Sequence, residues 1–287
     1  MLAIIFALIS YFSWGAGDIP GTIATRKIGS ILTSFWIYLV GLLGSTLFIP
    51  FFFNDLNKFT LEVFGINIGL GILLAVCYLA FNEAFRLGNV SIVGTIAGSF
   101  SAVTIVLSLI FLGETLTIVQ FLFILLIFSG IILTSLNFKD LKSGTILENK
   151  GTWIALAVMF GWGAYYTFIK IPITEVGWFW PNYISAIIGT VLLGWLAFGK
   201  LRTFKVSDMK TRYNLIAAGI LLTLGTFSLN YALSVGATSL VAPIAGSYTT
   251  LFVLLSRFAF KDRLTKQQWL GIVVTLCGIV LLAFFTR

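Results

Sequence analysis

The sequence predicts an all-α polytopic membrane protein, with ten transmembrane helices arranged as two inverted five-helix repeats. Three observations carry that expectation. Of the 287 residues, 59% are apolar and only 10% charged, and the mean hydropathy is +1.05, far from the composition of a water-soluble domain. The apolar residues fall in continuous runs of about 20, the length a helix needs to cross a hydrocarbon core of about 30 Å. The two halves of the chain also share one register of polar and aromatic landmarks, Trp14 recurring as Trp162 and Asn82 as Asn230.

In chain order the runs place spans at about 2–22, 31–53, 66–86, 91–112, 117–136, 151–170, 179–199, 213–234, 239–260 and 266–285. The longest polar connectors, Asn54 to Phe64, Asn137 to Lys150 and Lys200 to Arg212, are too short to hold a further soluble domain. A β-barrel is excluded because its segments alternate apolar and polar over about 10 residues, whereas these runs are continuous and twice as long. A helix satisfies its own backbone hydrogen bonds, as lipid demands.

The net charge of +8 does not point to nucleic acid, because the basic residues sit in short loops between apolar spans rather than on one folded face. Alternating the connections onto two sides groups Arg26, Lys27, Arg86, Lys139, Lys142, Lys150, Lys200, Arg202, Lys205, Lys210, Arg212, Lys261, Arg263 and Lys266 on one side. Only Lys58, Lys170 and Arg287 fall opposite, with Arg257 left aside inside a span. Since basic short loops stay cytoplasmic, an inner-membrane protein with both termini outside is expected. The first run starts at Met1 without a basic n-region, so the first helix is expected to be retained. Cys77 and Cys277 match no metal or redox spacing and read as buried, inert thiols.

The internal register is a gapless offset of 148 residues. It places Trp14-Gly15-Ala16 on Trp162-Gly163-Ala164, Gly88 on Gly236, Ser91 on Ser239, Ile96-Ala97-Gly98-Ser99 on Ile244-Ala245-Gly246-Ser247, Gln120 on Gln268 and Gly130 on Gly278. The repeats are expected at residues 1–137 and 151–287, joined by a loop at 138–150. Five helices is an odd number, so consecutive copies enter the membrane from opposite sides. Inverted repeats of that kind characterise many secondary transporters, whose site lies between the copies near the midplane.

With the repeat in place, the sequence resembles the ten-helix, EamA-type branch of the drug/metabolite transporter superfamily over nearly its whole length. The resemblance rests on the early Trp-Gly-Ala of each half and on Gly113-Glu114-Thr115-Leu116-Thr117 followed by Gln120 and Gly130-Ile131-Ile132-Leu133. In the second half, Lys261-Asp262-Arg263-Leu264-Thr265, Gln268, Gly271 and Gly278-Ile279-Val280-Leu281 repeat the signature. It implies alternating-access transport of a small metabolite, an amino acid or similar amphipathic solute, with export among the directions such carriers serve. Sugar or nucleobase uptake and proton-coupled drug efflux stand as alternatives. Related small multidrug proteins use a membrane-embedded Glu in their first helix; Asp18 is the nearest group in character.

Ionisable residues inside spans are expensive and mark function by default. Asp18, within Trp14-Gly15-Ala16-Gly17-Asp18-Ile19-Pro20-Gly21, reads either as a cavity carboxylate and coupling group or as an interfacial one paired with Arg26 or Lys27. Glu83 is a second coupling candidate, set against a simple ion pair with Arg86 at i+3. Arg257 is expected to snorkel, and Lys170 to reach the outer interface. Asn82 and Asn230, equivalent in the register, either face one central cavity or bond neighbouring helices. Ser99 and Tyr248 adjoin small-residue stretches that serve packing or line a pathway; Pro243, opposite Thr95, predicts a kink in the ninth span alone. Trp14, Trp162, Tyr165 and Tyr166 lie in mid-span, away from the interfacial belts, and suit an apolar site with a few oriented hydrogen bonds. The site is expected between helices 1, 3, 4, 6, 8 and 9.

No histidine occurs, which removes the commonest general base and metal ligand, and no phosphate-binding loop is present. A membrane-embedded enzyme or a channel is therefore the less favoured class. No cofactor, metal or nucleic-acid partner is expected. The expected partners are the bilayer and a small-molecule substrate, with the chain a monomer or homodimer.

Overall fold

A computed structural model describes residues 1–88, 90–135, 149–201, 208–260 and 264–285. The basic residues Lys139, Lys142, Arg202, Lys205, Lys261, Arg263 and Arg287, and most of the 138–150 loop, lie outside them. The described residues form helices joined by short turns and contain no strand. In chain order the helices are α1 (Leu2–Ile28), α2 (Ser30–Thr46), α3 (Ile49–Phe52) running into a 3-10 turn (Phe53–Lys58), α4 (Leu61–Leu87), α5 (Val90–Gly98), α6 (Phe100–Phe111) and α7 (Ile118–Ser135). The second half has α8 (Lys150–Phe168), α9 (Lys170–Val176), α10 (Phe179–Leu201), α11 (Met209–Val235), α12 (Thr238–Gly246), α13 (Tyr248–Ala259) and α14 (Lys266–Phe285).

Eight helical stretches are long and apolar enough to cross a membrane: Leu2–Ile28, Leu61–Leu87, Ile92–Phe111, Lys150–Val176, Phe179–Leu201, Met209–Val235, Thr238–Ala259 and Lys266–Phe285. A ninth is made by Ser30–Thr46 with Ile49–Lys58, bent by 65°, and Ile118–Thr134 is apolar but shorter. The protein is thus a polytopic helical membrane protein, with eight or nine of the ten expected runs meeting the length and composition of a span among the described residues. Large apolar side chains such as Phe111, Trp195, Val280 and Phe284 cover its outside, as lipid contact requires.

Local chemistry sets the helix ends. The Thr60 hydroxyl accepts from the Val63 amide at the start of α4, the Asn149 side chain from the Gly151 amide at α8, and the Asp208 side chain from the Thr211 amide at α11, each removing one orphan donor. Gly29 and Gly177, one register apart, hold φ of 84° and 83° between the first two spans of each half. At those angles with ψ near 170°, a Cβ is not tolerated.

The two halves are interleaved. α1 runs along α11 of the second half and α8 along α4 of the first. The Trp-Gly-Ala motifs are where each half admits the other: a Cβ on Gly15 would lie 2.9 Å from the Leu251 side chain, and one on Gly163 2.5 Å from Val103, and those two contacts are register equivalents. The fourth and ninth spans touch at Gly98 and Gly246, where a Cβ on Gly246 would come within 2.9 Å of Ser101, so the small-residue stretch serves close packing.

A kink in the ninth span alone is not what the structure contains. Both spans are interrupted at equivalent residues, Ser99 (φ −71°, ψ 5°) and Ser247 (φ −72°, ψ 1°). The Ser99 hydroxyl donates to the Thr95 carbonyl at 2.8 Å and the Ser247 hydroxyl to the Ile244 carbonyl at 2.6 Å. Such side-chain bonding competes with the helix ladder whether or not a proline is present.

Candidate functional site

One cavity of about 90 Å³ lies at the centre of the bundle, lined from α1, α2, α4, α6, α8, α10, α11 and α13. At the ~15 Å³ a water centre needs, it holds on the order of six waters or a small organic group. It draws on α2 and α10 as well as the helices expected from sequence.

The 148-residue register organises this cavity. Twelve of its eighteen lining residues are six equivalent pairs: Trp14 with Trp162, Asp18 with Tyr166, Tyr38 with Ala186, Leu74 with Leu222, Tyr78 with Thr226, and Phe100 with Tyr248. The rings meet in matching geometry. Trp14 lies edge-on to Tyr248 with centroids 5.5 Å apart, and Trp162 edge-on to Phe100 at 6.0 Å, an arrangement favoured by ring quadrupoles. Trp14 also packs on Tyr166 at 5.5 Å and Phe81 on Trp162 at 4.7 Å.

The chemistry of the pairs is unequal. Asp18 is the single ionisable carboxylate of the lining, its partner in register being a tyrosine, and no Lys or Arg lines the cavity. Asp18 is 6% exposed and makes no ion pair among the described residues. The cations expected to pair with it are engaged elsewhere: Lys27 bonds Asp208, and the Arg26 guanidinium lies 5.1 Å from the centre of the Phe260 ring. Trp14 donates from Nε1 to the Leu222 carbonyl and the Thr226 hydroxyl, both at 3.3 Å. The Nε1–H of Trp162 has no partner among the described residues, so the cavity carries a free buried donor opposite a satisfied one.

Outside the bilayer spans, Asp208 accepts from the Lys27 ammonium, the Thr211 amide at 2.7 Å and the Thr211 hydroxyl at 3.0 Å. The hydrogen bond from Lys27 is the largest influence and holds its carboxyl at about 2.

Five of the residues singled out in sequence meet in the cavity: Trp14, Asp18, Trp162, Tyr166 and Tyr248. Tyr165 is fully buried beside it, 4.9 Å from the Tyr166 ring and edge-on, and Ser99 sits at the span interruption. Glu83 lies outside it, accepting from Arg86 Nε at 2.9 Å and Ser30 at 2.8 Å. Asn82 joins three helices, with Oδ1 accepting from Thr25 at 2.9 Å and Nδ2 donating to Ser34 at 3.0 Å. Asn230 is fully buried and neither of its side-chain atoms is bonded.

Lys170 donates to the carbonyls of Leu233 and of Gly236 (2.8 Å for the latter) at the C-terminus of α11, where a cation complements the helix dipole. One expectation is corrected. Cys277 lies exposed on α14, while Cys77 is buried. Arg257 lies 6.0 Å from the Trp269 ring centre. Tyr38, Tyr78 and Asn182 are lining residues that sequence reasoning passed over. Their signal was available, because Tyr78 and Thr226 are register partners that both carry hydroxyls within apolar spans.

Glu114 has an unforeseen role. Held after Gly113 (φ 65°), its carboxylate accepts from the Thr238 and Ser239 amides at 2.6 and 2.7 Å, capping α12 of the other half. The motif carrying Gly113-Glu114-Thr115 is thereby a contact between repeats.

Comparison with known proteins agrees with this architecture. An uncharacterized protein of Methanocaldococcus jannaschii is 29% identical over 133 residues, 45% of this chain and 92% of that one. A crystal structure described only as that of a protein superposes with a TM-score of 0.74 at 15% identity, covering 99% of this chain and 97% of the other, a likeness of fold. The sequence model of the EamA-like transporter family matches residues 1–136 and again 149–284. The chain belongs to the EamA-like transporter family.

Proposed function

We propose that this protein is a secondary transporter of ten spans in two inverted repeats, carrying a small amphipathic metabolite with an amine group, such as an amino acid, through the central cavity by alternating access. The observation that supports the reading is the placement of register-equivalent residues around one cavity that contains a single carboxylate and no basic side chain. A buried charge without a counter-ion is costly in a membrane, and a substrate ammonium or a proton on Asp18 removes that cost. The surrounding rings present π-faces suited to a cation and to an apolar body, and the free Trp162 N–H offers one donor for an acceptor group on the solute. The two family matches and the near half-length archaeal relative support a division into repeats at 1–137 and 151–287. The protein sits in the inner membrane with both termini outside, the orientation favoured by its basic loops.

Uptake of labelled amino acids, amines, sugars and nucleobases into proteoliposomes, with and without a proton gradient, tests this reading. Amine-bearing solutes are expected to be carried, and Asp18→Asn to reduce kcat/KM at least tenfold, the scale of one charged hydrogen bond. Transport confined to sugars or nucleobases and indifferent to Asp18→Asn would remove the amine; unchanged gradient dependence in that variant would remove Asp18 from coupling.

A further inference from the structure

The register gives the hub around Asn82 a second copy, and the two copies are in different states. In the first half, Asn82 of α4 reaches Ser34 of α2 at 3.0 Å and accepts from Thr25 of α1 at 2.9 Å, tying three helices near the end of α1. Its equivalents in the second half are Asn230 of α11, Asn182 of α10 and Ile173 of α9. Among the described residues neither side-chain atom of Asn230 has a partner, and the Nδ2 of Asn182 has none. Both residues are buried, at 0% and 5% exposure. An amide with donor and acceptor both orphaned in a protein interior requires a reason. That amide, beside a second one whose donor is orphaned, at the two positions where the other half forms a hydrogen bond, supplies one.

We propose that Asn230 and Asn182 form the counterpart of the Asn82–Ser34 tie, and that the two ties form in alternation as the carrier turns over. The inference rests on the alternating-access reading above. Inversion of the repeats sets the two ties toward opposite faces of the membrane, so closing one face makes one tie and opening the other face breaks the second. Each end state then holds one satisfied and one orphaned asparagine. The polar costs of the two states nearly match, and the gap between them stays small enough for a solute to shift. Asn182 lines the cavity, so the second tie lies where a bound solute is felt. Thr25 has only Ile173 opposite it, so the first tie has one more hydrogen bond than the second, and the structure has that first tie formed.

The test reads which face opens, independently of transport. In a background with Cys77→Ala and Cys277→Ala, a reporter Ala186→Cys in the cavity is labelled with a membrane-impermeant maleimide from either side of sealed vesicles. Loss of an interhelical hydrogen bond in a membrane shifts a two-state ratio about threefold on average. Asn82→Leu removes two and is expected to raise labelling from the face where α1 ends by roughly eightfold relative to the opposite face. Asn230→Leu is expected to move the ratio about threefold the other way. Ser34→Ala, a smaller change, repeats the direction of Asn82→Leu. A shift of both asparagine variants in one direction, or an unchanged ratio in variants that melt like the parent, overturns the proposal. Opposite shifts in a protein that carries no solute would uphold the ties and reject the transport reading. Transport with an unmoved reporter would do the reverse.

Discussion

The contact of α7 with α14 is the most demanding packing feature of the fold, and Gly271→Ala probes it. A Cβ on Gly271 would lie 2.7 Å from the Gly130 carbonyl oxygen and closer still to the Thr134 amide nitrogen; one on Gly130 would lie 2.5 Å from the Thr275 amide nitrogen. Ordinary contact begins at 3.4 Å, so a methyl group forces the helices apart by about 0.7 Å or more. The obstructing atoms are backbone and cannot rotate away. A radial gap of ~0.5–1 Å forfeits a quarter to a half of the dispersion attraction across it, and overpacking of a tight contact costs about 1–3 kcal/mol. At roughly 2–4 °C per kcal/mol, thermal unfolding followed by tryptophan fluorescence in detergent should show a loss of about 3–10 °C. Gly65→Ala and Gly69→Ala, on α4 where nothing lies within 4 Å, are the controls and should match or exceed the parent, since alanine is the better helix former. If Gly271→Ala melts with the controls, the backbone-to-backbone contact is wrong, and with it the lateral placement of the short apolar α7.

Glu114→Ala leaves the Thr238 and Ser239 amides uncapped and should lower stability by about 1–2 kcal/mol, read as an earlier melt; Glu114→Asp, too short to reach both amides, should recover only part. The carboxyl of Asp208, held at about 2 by Lys27 and Thr211, has a folded value below its unfolded one of about 4. Its contribution is therefore complete above about pH 4 and is lost as pH falls toward 2; an Asp208→Asn variant should melt below the parent at pH 7, with the difference vanishing by about pH 2. Gly29→Ala should cost about 1–3 kcal/mol although nothing lies within 4 Å of the position, because its φ of 84° is closed to L residues. Gly44→Ala, helical with equally open surroundings, should melt with the parent.

Much of the architecture was legible because lipid leaves a chain few choices. A run of about 20 apolar residues must satisfy its backbone internally, so helix type followed directly from composition. The landmarks Trp14, Trp162, Asp18 and Tyr248 were legible as residues that meet in one cavity because polar or aromatic groups in mid-span are costly unless used. The second span was less legible. Pro50 stands at the start of α3, and the chain bends there by 65°, a change of direction that run length does not encode.

What the sequence by itself determined is the helical class, the register of the two halves and the family, all of which depend on spacing along the chain. Only the tertiary structure decided who faces whom. Asn82 and Asn230 are the same residue in the same register, yet one finds Ser34 and Thr25 while the other finds nothing. Asp18 sits eight and nine positions before Arg26 and Lys27 on the same helix, but Phe260 and Asp208 from the second half take both. A hydrogen bond or ion pair depends on distances of about 3 Å between helices. Those distances are set by the crossing of α1 with α11 and of α4 with α8, to which the order of residues along one chain has no direct access.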